Sequence, residues 1–485
     1  MSDADPTAIS ATEVAPGLAR QAELLAEGEL GAVETLDATL ERIAASQETL
    51  NAFRLLRPEA AREEAIEADR RLRAGERLPL LGVPLPIKDD VDLAGTPTAF
   101  GCPGPFEPKA RDSAVVEKLK AAGAVIVGKT NSPEIGLWPF TEGTAFGATR
   151  NPWSLGHTPG GSSGGAAAAV AAGLVSAAVG SDGAGSVRIP AAWTHLVGVK
   201  PQRGRVSTWP DAEAFNGLTV IGPLARTVGD AALLLDVLSG NVPGDLHRPP
   251  APAEPFAASA ARPPGTLRVA LALNVPFSGA SAHLDPEIQA ALERTAMLLE
   301  GLGHEVERAD APYGIAPGMS IMPRSMSSIR EWVGRCPDRS VLDPRVLESA
   351  RLGRLLEPLL PVARLAEGVG RRTVGRVFRR FDVVLSPTSA QPPLPIGACE
   401  GLSNWETDKR IVAACPYAWP WNVLGWPGVN VPAGITAAGL PIGAQLLGPA
   451  NSEPRLLALA AQLESVERWH ERRPPEHSDG AVRQT

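Results

Sequence analysis

Two neighbouring stretches decide how this chain is read: PGGSSGGAAAAVAAG at 159–173 and GSDGAGSVRIPA at 180–191. From Gly160 to Ser181 there is no charged residue. A run of that length invites comparison with a membrane span. Its content is Ala, Gly and Ser, with only Val170, Leu174, Val175 and Val179 as larger apolar residues. Such small residues gain little from lipid and suit close packing, so the stretch reads as a tightly packed core helix. Its glycines open backbone geometry closed to other residues. The run before Ser186 leaves successive backbone N–H groups unobstructed, as stabilisation of an oxyanion requires.

Outward from these stretches, helical and strand patterns alternate. The segment 19–45 has helical apolar spacing broken at Gly28 and Gly31, and 59–74 gives a further helix. LGVPLPI (81–87) is a β-like run that delivers Lys88, followed by Asp89 and Asp90. SAVVEKLKAAG (113–123) reads as a helix and AVIVG (124–128) as a strand. VGVK (197–200), LRVALAL (267–273) and FDVVLSP (381–387) read as buried strands, and 285–301 as an amphipathic helix. This alternation predicts an α/β sheet. A helical segment over 1–75, a main domain over 76–470 and a flexible tail over 471–485 are expected, with residues 1–8 expected to lack order. The Pro/Ala-rich stretch 248–265 reads as a connector within the main domain.

Composition narrows the function classes. The chain has 485 residues, 44% of them hydrophobic and 21% charged, which are globular values. Its net charge of -8 and the lack of a Lys/Arg block argue against nucleic-acid binding. Cys102, Cys336, Cys399 and Cys415 form no CxxC pair, and no HExxH occurs, so neither a disulfide framework nor a metal site is expected. No leader pattern opens the chain, and a cytoplasmic location without membrane association is expected. A P-loop is excluded because no Gly-Lys-Ser/Thr follows the glycines. Gly161-Ser162-Ser163-Gly164-Gly165 also fits the G-x-S-x-G elbow, which would make Ser163 a nucleophile. That reading needs a histidine partner, and none stands in a recognisable context. Ser163 also reads as a cap for the Ala-rich helix.

The Lys88 strand, GKTNSPE (128–134), TRNPW (149–153), the two opening stretches, GVKPQRGRVS (198–207), GPLARTVGDAALLLDVLSG (222–240) and GLPIGAQLLG (439–448) together resemble the amidase signature hydrolases over roughly residues 15–470. The resemblance implies an α/β fold with a large, mixed, twisted central sheet covered by helices on both faces. It implies a Ser–cis-Ser–Lys triad of Ser186, Ser162 and Lys88, with a cis peptide at Gly161–Ser162. Ser186 is the nucleophile of an acyl-enzyme, Ser162 the bridge and Lys88 the base. The N–H groups of Gly183, Ala184, Gly185 and Ser186 hold the oxyanion. Ala184 departs from the family's usual glycine and keeps the hole only if its φ is negative. Gly161, Ser163, Asp182 and Arg188 are expected to support the loops, with Asp182 and Arg188 paired. The chemistry suits the residue types: a serine hydroxyl needs a base to take its proton, and a lysine serves only when neutral.

Within this resemblance the chain is similar to stand-alone bacterial amidases, including those acting on nylon oligomers and carbamates. No cofactor is implied. The expected partner is a small amide or carbamate, in a monomer or homodimer. The alternatives are the A-type subunit of a tRNA-dependent amidotransferase and a non-catalytic scaffold. The substrate region is expected around 310–345, whose Met319, Ile321, Met322 and Met326 suit an adaptable wall. Trp138, Phe140, Met322, Trp419 and Trp421 are the candidate pocket residues, pointing to an apolar or aryl acyl group.

Overall fold

A computed structural model describes residues 15–276 and 282–475. The expectations for residues 1–8 and for most of the tail fall outside the described residues.

Thirteen strands run along the described residues: β1 (Phe53–Leu56), β2 (Pro84–Lys88), β3 (Val125–Thr130), β4 (Glu142–Gly143), β5 (Gly147–Ala148), β6 (Ala177–Asp182), β7 (Val197–Lys200), β8 (Val220–Ala225), β9 (Arg268–Leu271), β10 (Glu305–Arg308), β11 (Val383–Pro387), β12 (Gly428–Ile435) and β13 (Pro441–Leu447). Eleven form one sheet in the order β1-β3-β2-β6-β8-β7-β12-β13-β11-β9-β10, and β4 pairs with β5 alone. The sheet is mixed. β3, β2 and β6 run parallel, as do β11, β9 and β10, while the centre from β6 to β11 is antiparallel. The large mixed sheet expected from the sequence is therefore present.

The strands read from sequence all form, with ends shifted by a few residues. The helix expected over 285–301 is Pro286–Gly301, capped by Asp285, whose carboxylate accepts the Glu287 N–H at 2.8 Å. Leu18–Glu27 and Ala32–Leu50 are the two N-terminal helices. Between the second and Pro58–Arg73 lies β1, which pairs antiparallel with β3, so this segment also supplies a sheet edge. The connector 248–265 is packed rather than loose. It holds a short helix, Phe256–Ala260, whose first N–H groups donate to Asp236, and Phe256 is fully buried.

One reading of the opening stretch needs correction. The charge-free run is not one core helix. Only Gly164–Ala171 is helical, every residue of it buried, and the chain then turns at Gly173 and enters β6. Gly173 sits at φ 72°, a left-handed conformation that ends the helix. The strand Ala177–Asp182 is masked in the sequence because alanine and glycine show no β preference and burial on both faces erases the alternation. Among the described residues no helix is long and apolar enough to cross a membrane.

The main core joins residues from Leu18 to Trp469 around the sheet. A second cluster, including Phe100, Trp138, Met326, Ile329 and Trp332, sits apart from it and walls the cavity described next.

Candidate active site

Parallel strands bring their C-terminal ends to one edge, where α/β proteins place their ligands. Here β3, β2 and β6 end at Thr130, Lys88 and Asp182. Ile87 pairs with Val179, so Lys88 emerges beside Gly180 and Ser181. Its Nζ donates to Ser162 Oγ at 2.7 Å and to Ser181 Oγ at 2.7 Å, and lies 3.2 Å from Asp90 Oδ2. Ser181 Oγ in turn donates to Asp90 Oδ2.

Burial alone does not make this site. Lys88, Lys129 and Lys200 are all fully buried. Lys129, one position along the pleat in the adjacent strand, donates to Pro97 O and Thr98 Oγ1 at 2.7 Å and lies 3.8 Å from Asp89. Lys200 donates to Pro201 O, and burial, assisted by the Arg188 charge, lowers its pKa to about 7. Of the three, Lys88 lines the cavity described below, and Lys129 and Lys200 do not. The neighbours Asp89 and Asp90 divide in the same way: Asp89 accepts the N–H of Gly101, while Asp90 faces the cavity.

Ser162 is held by its loop. The Gly161–Ser162 peptide is cis. A Cβ on Gly161 would stand 2.5 Å from Trp138 O, so the loop lies flat on the 138–140 backbone. Ser163 is fully buried, donates to Ser181 O at 3.1 Å and accepts the Ser181 N–H at 3.2 Å. Ser163 therefore pins the loop to β6. It does not cap the following helix, and it is no exposed elbow serine. Gly136 closes over the pair: at φ 64°, a Cβ there would lie 3.2 Å from Ser162 Oγ and 3.9 Å from Lys88 Nζ.

Ser186 lines the same cavity as Lys88 and Ser162. Its carbonyl accepts the Ser163 N–H at 3.1 Å. Its hydroxyl has no hydrogen-bond partner among the described residues, so the expected contact with Ser162 is not made. Catalytic contacts of this kind commonly tighten only around substrate.

Asp182 and Arg188 pair as expected. Arg188 Nε donates to Asp182 Oδ2 at 3.0 Å and Nη2 to Oδ1 at 3.1 Å, with both side chains fully buried. Asp182 also accepts the N–H groups of Gly185, Val187 and Arg188, and Asn422 Nδ2 at 2.8 Å. Burial opposes its ionisation, but the Arg188 charge and these donors outweigh that and hold its pKa well below the usual carboxylate range.

This network corrects the expected set of oxyanion donors. The Gly185 N–H is committed to Asp182 Oδ1 at 2.8 Å. The N–H groups of Gly183, Ala184 and Ser186 have no partner among the described residues. Ala184 is not among the residues at positive φ, so its Cβ causes no backbone conflict there.

The cavity above has a volume of about 610 Å³. Trp138, Met322 and Trp419 line it, as do Met319, Ile329 and Trp332. Met319, Ile321, Met322 and Met326 project from the helix Ala316–Gly334. Phe140 and Trp421 do not reach it. Phe140 is buried and stacks on Trp138 at 5.3 Å, bracing that ring. Trp421 is fully buried in a separate cluster with Phe378 and Trp426, on the far side of its short helix from Trp419. Sequence reasoning missed Gly136, Ser181, Asp90 and Asp408 as cavity residues. Ser181 and Asp90 stood inside the quoted motifs, and Asp408 begins a helical stripe with Ile411, Val412 and Cys415.

A buried lysine bonded to two serines thus stands beneath an apolar cavity, at the edge where parallel strands of a large mixed sheet end. The Amidase family model matches residues 34–457, and the chain belongs to that family, whose members hydrolyse amide bonds. It is 53% identical over 475 residues to "Putative amidase AmiA2" of Mycobacterium tuberculosis, covering 98% of each chain. Among solved structures, 6-aminohexanoate cyclic dimer hydrolase superposes with a TM-score of 0.85 at 33% identity, covering 95% of this chain and 98% of that one. A bacterial aryl acylamidase of the amidase signature family superposes with a TM-score of 0.84 at 29% identity, covering 94% and 97%. The protein is thus an amidase acting on non-peptide C–N bonds.

Proposed function

We propose that this amidase cleaves a small amide with an apolar or aryl acyl group through an acyl-enzyme on Ser186. The observation that carries the reading is the 2.7 Å pairing of Lys88 with Ser162 beneath the unpartnered Ser186 hydroxyl, in one cavity. Ser186 Oγ attacks the carbonyl carbon while its proton passes to Ser162, whose own proton passes to Lys88. The N–H groups of Gly183, Ala184 and Ser186, free of partners among the described residues, receive the developing negative oxygen, which is where preorganised donors act most strongly. Asp90, 3.2 Å from Lys88, steadies the ammonium that forms. Return of the proton through Ser162 to the nitrogen lets the C–N bond break and the amine depart. Water then attacks the Ser186 ester, its proton passing through Ser162 to Lys88, and that proton returns to Ser186 Oγ as the carboxylic acid is released. A carbamate or ester fits the same sequence of bonds. The neighbours named for a cyclic amide dimer and for aryl acylamides, together with the Met- and Trp-lined wall, support an apolar acyl group.

The test is covalent labelling. A serine-directed fluorophosphonate should add one equivalent by intact mass and map to Ser186, with Ser186→Ala unlabelled and inactive. Labelling at Ser163, or turnover by Ser186→Ala, would overturn the assignment.

A further inference from the structure

The cavity wall opposite the signature loops contains a charge that the reaction above does not use. The helix Asn404–Ala414 begins at a capping box, with Ser403 and Glu406 satisfying each other's groups. From it Asp408, Ile411 and Val412 line the cavity, joined by Cys415 just beyond its end. Their spacing of three, four and seven residues puts them on one face. Three of the four are apolar or thiol, as a wall requires; Asp408 is the exception. Apart from Lys88 and Asp90, it is the cavity's one acidic or basic side chain among the described residues.

No protein group answers that carboxylate. Asp408 has no hydrogen bond or ion pair among the described residues. The nearby cations are engaged elsewhere: Lys409 lies over the Trp405 ring at 5.7 Å, Arg410 donates to Ala398 O, and Arg345 binds Asp343 and Cys399 O. Burial pushes the Asp408 carboxyl up to about 6, so near pH 7 it is mostly ionised, partly dehydrated and uncompensated. Partial burial of a charge without a partner costs stability, and a ligand that supplies the partner recovers it.

We propose that Asp408 is a specificity residue that selects substrates carrying a protonated amine separated from the scissile carbonyl by an apolar body. This rests on the amidase reading of the cavity. The Met- and Trp-lined space receives the apolar body, and the ammonium donates to the carboxylate. A charge-assisted hydrogen bond in such a water-poor site is stronger than a neutral one.

The experiment compares matched pairs at pH 8: anilides of n-alkanoic and ω-aminoalkanoic acids of equal length, and alkanoyl anilides with and without an aminomethyl group on the ring. The wild type should favour the ammonium member of at least one pair by on the order of tenfold in kcat/KM, mainly through KM. Asp408→Asn should bring that ratio towards one, and Asp408→Glu should retain part of it. A wild-type preference for the neutral member of every pair, or an undiminished preference in Asp408→Asn, overturns the proposal. Calorimetric binding of n-hexylammonium against n-hexanol separates this result from the catalytic assignment, because it needs no turnover. Preference for the amine in the wild type that is lost in Asp408→Asn supports the proposal even if labelling at Ser186 fails. Equal binding overturns it even if labelling succeeds.

Discussion

The floor and the wall of one cavity are built on different principles. The floor consists of Lys88, Ser162, Ser181 and Asp90, each held by a short strand or a glycine loop and tied to the next by hydrogen bonds of 2.7 Å or less between Lys88, the serines and the carboxylate. Beneath it the Asp182–Arg188–Asn422 network is fully buried. The wall is apolar, carried on the helices Ala316–Gly334 and Asn404–Ala414, and part of it is open: Met319 is 52% and Met322 43% exposed. Changing a floor residue disturbs several partners at once, whereas changing a wall residue removes only its own contacts. The difference separates a hydrogen-bonded floor, to which we assign the chemistry, from an apolar wall, to which we assign contact with the substrate.

Asp182→Asn should have the largest effect, on stability. It leaves Arg188 buried without its counter-charge, and breaking a buried pair typically costs about 3–5 kcal/mol. Urea unfolding should show that loss. The pH sign follows from the same pair. Asp182 is depressed in the folded state, so its stabilisation is complete above the ordinary carboxylate pKa near 3.9 and is lost as pH falls through and below it. The wild type should lose more stability than the variant between about pH 5 and pH 2. Equal acid sensitivity would show that the floor is not anchored this way.

Gly136→Ala comes next. A methyl 3.2 Å from Ser162 Oγ, on a backbone at φ 64°, must displace the serine or the 134–136 turn. Misplacement by about an ångström can cost on the order of 10²-fold in rate. kcat should fall by about that factor while the KM for small amides changes little. An unchanged kcat would mean that the Lys88–Ser162 geometry tolerates slack.

The smallest effect belongs to the wall. Met322→Ala should alter kcat/KM by about tenfold or less, and only for acyl groups long enough to touch it, since the side chain is 43% exposed and its contact sits near the low end, about 1 kcal/mol, of what a buried methylene is worth. A uniform loss across short and long substrates would mean that the wall takes part in the chemistry and would erase the division between the regions.

The floor was legible in part: Lys88 and Ser162, with Ser186 beside them, stand in short local patterns, whereas Ser181 and Asp90 lie inside the same motifs with nothing local to single them out. A lysine ending an apolar strand, paired serines among glycines and a serine after Asp-Gly-Ala-Gly are visible locally, but their roles came from the resemblance spanning roughly residues 15–470. The wall was legible only in part. Trp419 and Trp421 are two residues apart on a single helical turn, and their opposite directions are set by packing against Phe378 and Trp426, which no local pattern reveals. The Gly185 N–H was misassigned for a related reason: its neighbour Asp182 takes it, a contact decided by the loop's path. The strand Ala177–Asp182 was hidden because its small residues carry no period.

The most direct test of the account is a double-mutant cycle on Lys88 and Ser162, scored by kcat. Either Lys88→Ala or Ser162→Ala alone should cost roughly 10²–10⁴-fold, the usual range for a lost general base. Because the proposed relay makes the two residues one proton path, Lys88→Ala/Ser162→Ala should be no slower than the slower single variant. Losses that multiply in the double variant would show that Lys88 and Ser162 act independently, and would contradict the relay.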